Sequence, residues 1–211
     1  MTVYTEKPAV NLREELASLR NQGGYQEQQF YFDSLVTNGT FDADTNWIKG
    51  TDWSISGGVA NHTTTSSAAI YQTQSVELGK RYQVSVDITF NGAGTAYWRL
   101  GNTTNLGTVM STTQTNTQVL TAAATGAYIG IFTNANITID NISVFEVDAN
   151  DDVIHTMPKG WKPKDVFEDG LLQREGAAHD YEVVYDGFDY YVKPTVAPSA
   201  ITQTCVIGVK A

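Results

Sequence analysis

The chain has 211 residues, 41% of them hydrophobic, enough to bury a core and to build one large or two small domains. Only 17% are charged, the net charge is −10 and no stretch is basic, which excludes the phosphate-neutralising platform of a nucleic-acid binder. No apolar run approaches the roughly 18 residues of a membrane span and Met1 opens a polar segment, so a soluble protein made in a cytoplasm is expected, without membrane insertion.

Residues 1–34 read as an arm. Asn11 followed by Glu14 has the form of a capping box, and Leu12, Leu16 and Leu19 fall on one helical face before Gly23-Gly24 ends the run. About three turns of helix are marginal alone in water, so the leucine stripe needs cover from this chain's own core, a sister copy or another protein. Residues 26–32 read as an extended connector whose aromatics also need cover.

Residues 35–147 alternate with the period of a strand. In residues 82–90, Tyr82, Val84, Val86, Ile88 and Phe90 interleave with Gln83, Ser85, Asp87 and Thr89, which predicts a strand with one buried and one wet face. Weaker runs at 71–76, 96–100, 117–120 and 128–132 are separated by turn signals such as Gly57-Gly58, Gly79-Lys80 and Asn91-Gly92. The spacing suits a jelly-roll-like antiparallel β-sandwich.

Chemistry is sparse within it. No nucleophile, base and orienter fall in a pattern, and no catalytic residue is assigned. His62, in a Thr-rich run with no second histidine nearby, reads as a solvated loop histidine. Ile137 and Ile139 share one parity while Ile142 and Val144 share the other, so a β-bulge is predicted at Asp140-Asn141. If the start of the sandwich runs beside its end, Asp42 and Asp140 approach one structural Ca²⁺ with backbone carbonyls completing the shell; the alternative is that both carboxylates bond turns. No other cofactor is required.

Residues 148–164 are acidic and turn-rich, with Pro158, Gly160 and Pro163, and read as a linker in which Trp161 either plugs against one of the flanking domains or faces a neighbour. Residues 165–211 read as a small β domain. A strand and turn at 166–172 lead to a hairpin whose Asp186-Gly187 favours a two-residue primed turn, and a last strand covers 204–210. Cys205, the sole cysteine, has no intrachain partner and reads as a small buried residue of that strand, the alternatives being an interchain bridge or a reactive thiol. Such a unit, about 45 residues long, is near the lower limit for folding alone.

Several of these stretches carry a resemblance. Leu-Val-Thr-Asn-Gly-Thr-Phe-Asp from Leu35, Trp-Ser-Ile-Ser-Gly-Gly-Val-Ala from Trp53, Leu-Gly-Lys-Arg-Tyr-Gln-Val-Ser-Val-Asp from Leu78 and Ile-Asp-Asn-Ile-Ser-Val-Phe-Glu from Ile139 together resemble the carbohydrate-binding-module-like, galactose-binding-like jelly rolls. Those domains recur in bacteriophage structural proteins and in secreted glycosidases. In glycan-binding members sugars stack on exposed aromatics, which makes Trp47, Tyr97 and Trp98 the candidates here, with Trp53 expected in the core. Adjacent Tyr97 and Trp98 point to opposite faces of their strand, so at most one serves a given surface.

The C-terminal order of Val-Phe-x-Asp-Gly, Asp-Tyr-x-Val, Ala-Pro and a valine-rich closing strand is similar to a small module of phage fibres. Together the resemblances imply a non-enzymatic virion component of fibre, adaptor or capsid-decoration type, assembled in the host cytoplasm. Leu12, Leu16 and Leu19 would anchor it to other virion proteins or in a homo-oligomer, a trimer by family habit, while its β domains meet host surface polysaccharide. The alternatives are a carbohydrate-binding protein whose main role is glycan recognition, or a fibre-borne depolymerase.

Overall fold

Alternating apolar and polar residues become strands that hide one set of side chains and wet the other. A computed structural model of the chain describes residues 27–32, 34–168, 171–173, 175–176, 180–195 and 204–210; within them the fold is strands and turns, and the strands pair antiparallel. The helix expected around Leu12, Leu16 and Leu19 lies outside the described residues.

Two five-stranded sheets make the sandwich. One runs β3 (Trp53–Ser56), β4 (Val59–His62), β11 (Ile137–Val147), β6 (Arg81–Phe90), β9 (Gln114–Thr121). The other runs β2 (Ile48–Lys49), β5 (Ala68–Val76), β10 (Gly126–Thr133), β7 (Ala96–Leu100), β8 (Leu106–Met110). On β6, Tyr82, Val84, Val86 and Ile88 are buried as their parity predicts. They join Ile70, Trp98, Ile131, Ile137 and Ile139 in one core between the sheets. Each large aliphatic so buried contributes roughly 1.5–3 kcal/mol, and many of them together offset the ordering of the chain.

The predicted bulge is present in β11. Its register against β6 passes from Asp140↔Asp87 to Ser143↔Ser85, and Asn141 there adopts a φ of 51°. One extra residue turns the strand over, so Ile142 and Val144 continue the core while Phe145 and Val147 emerge on the outer face. The start of the sandwich runs along this bulge: Leu35 N–H donates to Val144 O at 2.9 Å and Ile142 N–H to Gly39 O at 2.9 Å. A Cβ on residue 39 would run into the Ile142 carbonyl, which is why glycine occupies it.

A smaller two-sheet unit follows. One sheet runs β1 (Glu27–Phe32), β17 (Thr204–Lys210), β13 (Trp161–Glu168), β14 (Leu171–Leu172), and the other runs β12 (His155–Thr156), β16 (Tyr190–Pro194), β15 (Tyr181–Tyr185). Met157, Val166, Tyr181, Val192 and Val206 form its core. Residues 148–164, expected as a linker, therefore supply a strand, the opening of another and a core methionine. Residues 27–32 pair with the last strand instead of merely connecting.

Two local expectations change. Tyr185 pairs with Tyr190, so the hairpin closes through four residues and not two; Asp186 Oδ1 accepts from the backbone N–H of Phe188 and Asp189 at 2.8 and 2.9 Å, which stabilises the longer loop. Cys205 is only half-buried, because Val206 takes the core parity of β17. The unit docks on the outer face of the bulged sheet, where Phe145, Val147 and Val153 form a buried cluster and His155 meets the Phe145 ring edge-on at 6.4 Å between centroids.

Candidate functional site

Strand β10 is apolar on both parities, and that is unusual for a sandwich strand with a wet side. Ile129 and Ile131 are fully buried, which leaves Tyr128, Gly130 and Phe132 on the outer face. Antiparallel pairing sets the neighbours. Gly130 lies between Tyr71 of β5 and Arg99 of β7, Phe132 lies between Ala69 and Tyr97, and Ile48 of β2 extends the first row beyond Tyr71. Four strands at the usual spacing give that row a width of roughly 14 Å.

The side chains form one connected surface. Tyr71 and Tyr128 stack at 4.3 Å with 13° between their planes. A side chain at position 130 would collide with the Tyr71 Cβ and the Ile70 carbonyl, so glycine is what lets Tyr71 lean across to its partner. The Arg99 guanidinium lies 3.9 Å from the centroid of Phe132 and its Nε–H donates to Asn105 Oδ1 at 2.8 Å. Burial raises the Tyr128 phenol above its ordinary value, while the hydrogen bond from Arg99 pulls it partly back. Tyr71, Tyr97, Arg99, Tyr128 and Phe132 are all half-exposed. Flat rings with a fixed donor beside them offer apolar faces for C–H groups and polar edges for hydroxyls.

Of the residues chosen from sequence, Tyr97 stands on this face and the two tryptophans do not. Trp98 is 0% exposed, because it shares the inward parity of Ala96 and Leu100. Trp47 is 7% exposed: its ring packs against Phe41 at 5.1 Å and its Nε1–H donates to Asn38 O at 2.9 Å, pinning the loop that enters the sandwich. Trp53 is in the core as expected. His62 is not a loop histidine but a fully buried residue of β4, with Nδ1 2.8 Å from Ala135 O and its ring against Trp53. The Thr-rich run after it hides that Ala60 and His62 share the inward parity.

Sequence reasoning passed over Tyr71, Arg99, Tyr128 and Phe132. The signal was there as parity: each occupies the position opposite to buried Ile70, Trp98, Ile129 or Ile131.

Asp140 of β11 lies opposite Asp87 of β6, and the charge of Asp42 also reaches it. Burial raises the Asp140 carboxyl above the usual range, the charges of Asp87 and Asp42 add to this, and the hydrogen bond from Asn141 N–H opposes it. Their oxygens already have donors: Asp42 accepts from Thr40 at 2.6 Å, and Asp87 from Thr115 and Asn141 at 2.5 and 2.8 Å. Among the described residues no three acidic, histidine or cysteine side chains converge in the manner of a metal cage, so a calcium shell here would lean on backbone oxygens.

A crevice of about 470 Å³ lies between the sandwich and the smaller unit, and its charges answer one another. Lys80 is 3.1 Å from Glu146, Lys193 pairs with Asp152, and Tyr191 O–H donates to Asp186 at 2.6 Å. It reads as a salt-bridged seam.

No family model matches the chain, and none of the curated proteins matches it. Among solved structures it is similar to the N-terminal cellulose-binding domain of the β-1,4-glucanase C from Cellulomonas fimi, at 19% identity over 54% of this chain and 97% of that one, with a TM-score of 0.40. It is similar to the C-terminal CBM6 of LamC, a laminarinase of the marine Zobellia galactanivorans, at 12% identity over 56% and 98%, with a TM-score of 0.35. A family 16 carbohydrate binding module-2 is similar at 15% identity over 53% and 99%, with a TM-score of 0.33.

Proposed function

We propose that this chain is a glycan-binding protein whose site is the outer face of the β2-β5-β10-β7-β8 sheet, and that it binds without catalysing. One observation carries the reading: Tyr71, Tyr97, Tyr128 and Phe132 gather half-exposed on one face around a fixed arginine, while Trp47, Trp53 and Trp98 of the same sandwich are buried. A pyranose presents a face of C–H groups ringed by hydroxyls. Stacked tyrosines meet the first, and Asn105, Arg99 and the phenol oxygens meet the second. Only ring faces near van der Waals contact contribute, so affinity is expected to rest on the Tyr71–Tyr128 pair.

The virion reading rests on the sequence resemblance alone, and glycan recognition takes its place as the main one. In a phage particle the same face would be the part that touches a host polysaccharide, and anchoring by Leu12, Leu16 and Leu19 stays a separate proposal. Titration calorimetry against a polysaccharide panel tests the glycan reading. Binding that falls at least about tenfold in Tyr128→Ala, with melting temperature little changed, supports it. Binding unaffected by Tyr128→Ala, Tyr71→Ala and Tyr97→Ala alike would place the site elsewhere.

A further inference from the structure

Charge separates this face from the rest of the molecule. The chain carries 23 acidic residues, yet between Asp87 and Asp140 the only charged residue of either sign is Arg99. The five strands of the aromatic sheet hold no carboxylate, and Lys49, their other cation, lies at the edge strand within 2.5 Å of Asp44. Among the described residues Arg99 faces no acid. Its contacts are the Phe132 ring, the Asn105 amide oxygen and the Tyr128 phenol.

An arginine that served only solubility would stand free in water, and one that served only stability would have many acids to choose from. Arg99 is instead held over a ring, poorly hydrated on that side, with donors of its terminal nitrogens remaining beyond those bonds. Such a fork matches the two oxygens of a carboxylate. The overall charge of −10 sets the density of that charge: a polymer charged at every sugar would be repelled by the whole molecule, whereas one carboxylate in a mostly neutral stretch meets one cation.

Resting on the glycan reading above, we propose that the face takes a uronate-bearing polysaccharide. One sugar carboxylate is paired by the Arg99 guanidinium, while neutral neighbouring rings stack on Tyr71, Tyr128 and Tyr97.

Calorimetry with a glucuronic-acid-branched xylan, and with the same polymer after its carboxyls are reduced to alcohols, tests this. A panel of other sparsely charged uronate polymers and their reduced twins is run beside it. The native polymer is expected to bind at least about tenfold more tightly than its reduced twin, as a charge-assisted hydrogen bond supplies. Arg99→Gln should erase that difference, and Arg99→Lys, which keeps the charge without the fork, should recover only part of it.

Equal affinity for native and reduced polymers, with Tyr128→Ala still weakening both, overturns the carboxylate and leaves the glycan reading standing. Preference for a sulfated glycan lacking uronate also overturns it. No binding to any polymer, native or reduced, sinks the glycan reading itself. Should Arg99→Gln fail to fold, the native and reduced polymers on the unaltered protein decide the matter.

Discussion

The two sheets of the sandwich have opposite outer faces, and the contrast shows what marks a site in this molecule. On the bulged sheet polar groups satisfy each other: Ser85 and Thr117 lie 3.0 Å apart, Thr138 O–H donates to Asn61 at 2.9 Å, and Asp87 accepts from Thr115 and Asn141. Phe145 and Val147 on that face are 2% and 5% exposed beneath Val153 and His155. On the other sheet the aromatics stay half-exposed beside a cation. Rings occur on both faces, and what distinguishes them is whether the fold itself covers them.

Two substitutions of the same chemistry should therefore come apart. Phe145→Ala empties a buried contact and is expected to cost about 3–5 kcal/mol, the largest effect foreseen, read as a drop in the denaturation midpoint. Glycan affinity of the folded fraction should not move. If the stability loss came with loss of binding, the two faces would be coupled and the contrast would fail.

Acid should attack the covered face next. Burial pushes His155 down to about 4 from an ordinary 6.5, so between those values the unfolded chain binds a proton that the folded one refuses. The stabilising contribution is complete above pH 6.5, declines as pH falls towards 4 and is flat below. The span corresponds to roughly 3 kcal/mol. Unfolding measured across that range should show this slope in the native chain, and His155→Leu should flatten it. Arg99 stays charged throughout, so the histidine step should be absent from glycan binding. Tyr128→Ala is the converse experiment: it should remove roughly 1–3 kcal/mol of binding, while stability changes by less than in Phe145→Ala because the ring is already half in water.

Strands and bulge were legible because one residue's alternation decides one strand's faces: Val84, Val86 and Ile88 could only point one way, and the slip at Asp140-Asn141 had only one geometric meaning. The site was less legible. The resemblance points to Trp47 and Trp98 as exposed stacking aromatics, yet Trp98 follows the parity of Ala96 into the core, and Trp47 is held by a loop carbonyl that no local pattern announces. Tyr128 and Phe132 looked like a blurred strand, because apolar residues at both parities weaken the alternation that reveals a strand at all. Which strands bring Tyr71, Arg99 and Tyr128 side by side is a matter of sheet order, and β5-β10-β7 adjacency is not local in sequence. The four-residue hairpin escaped for the same reason, since Asp186 chooses backbone partners beyond the dipeptide.

The smallest expected effect sharpens the contrast at the bulge. Asp140 is an acid raised above its ordinary value, so folding favours its protonated form; its charge costs stability at neutral pH, and relief comes as pH falls through the raised value. Asparagine keeps an oxygen for the Asn141 N–H and drops the charge facing Asp87 and Asp42. The carboxyl is only partly buried, so screening holds the gain to a few tenths of a kcal/mol. Asp140→Asn in chelator should thus raise the melting temperature slightly. A calcium ion shared by Asp42 and Asp140 would reverse the sign: chelator would then lower the native midpoint, and Asp140→Asn in added calcium would melt below the native chain. Glycan affinity should be unchanged in either case, because this cluster lies on the bulged sheet and the aromatic face belongs to the other one.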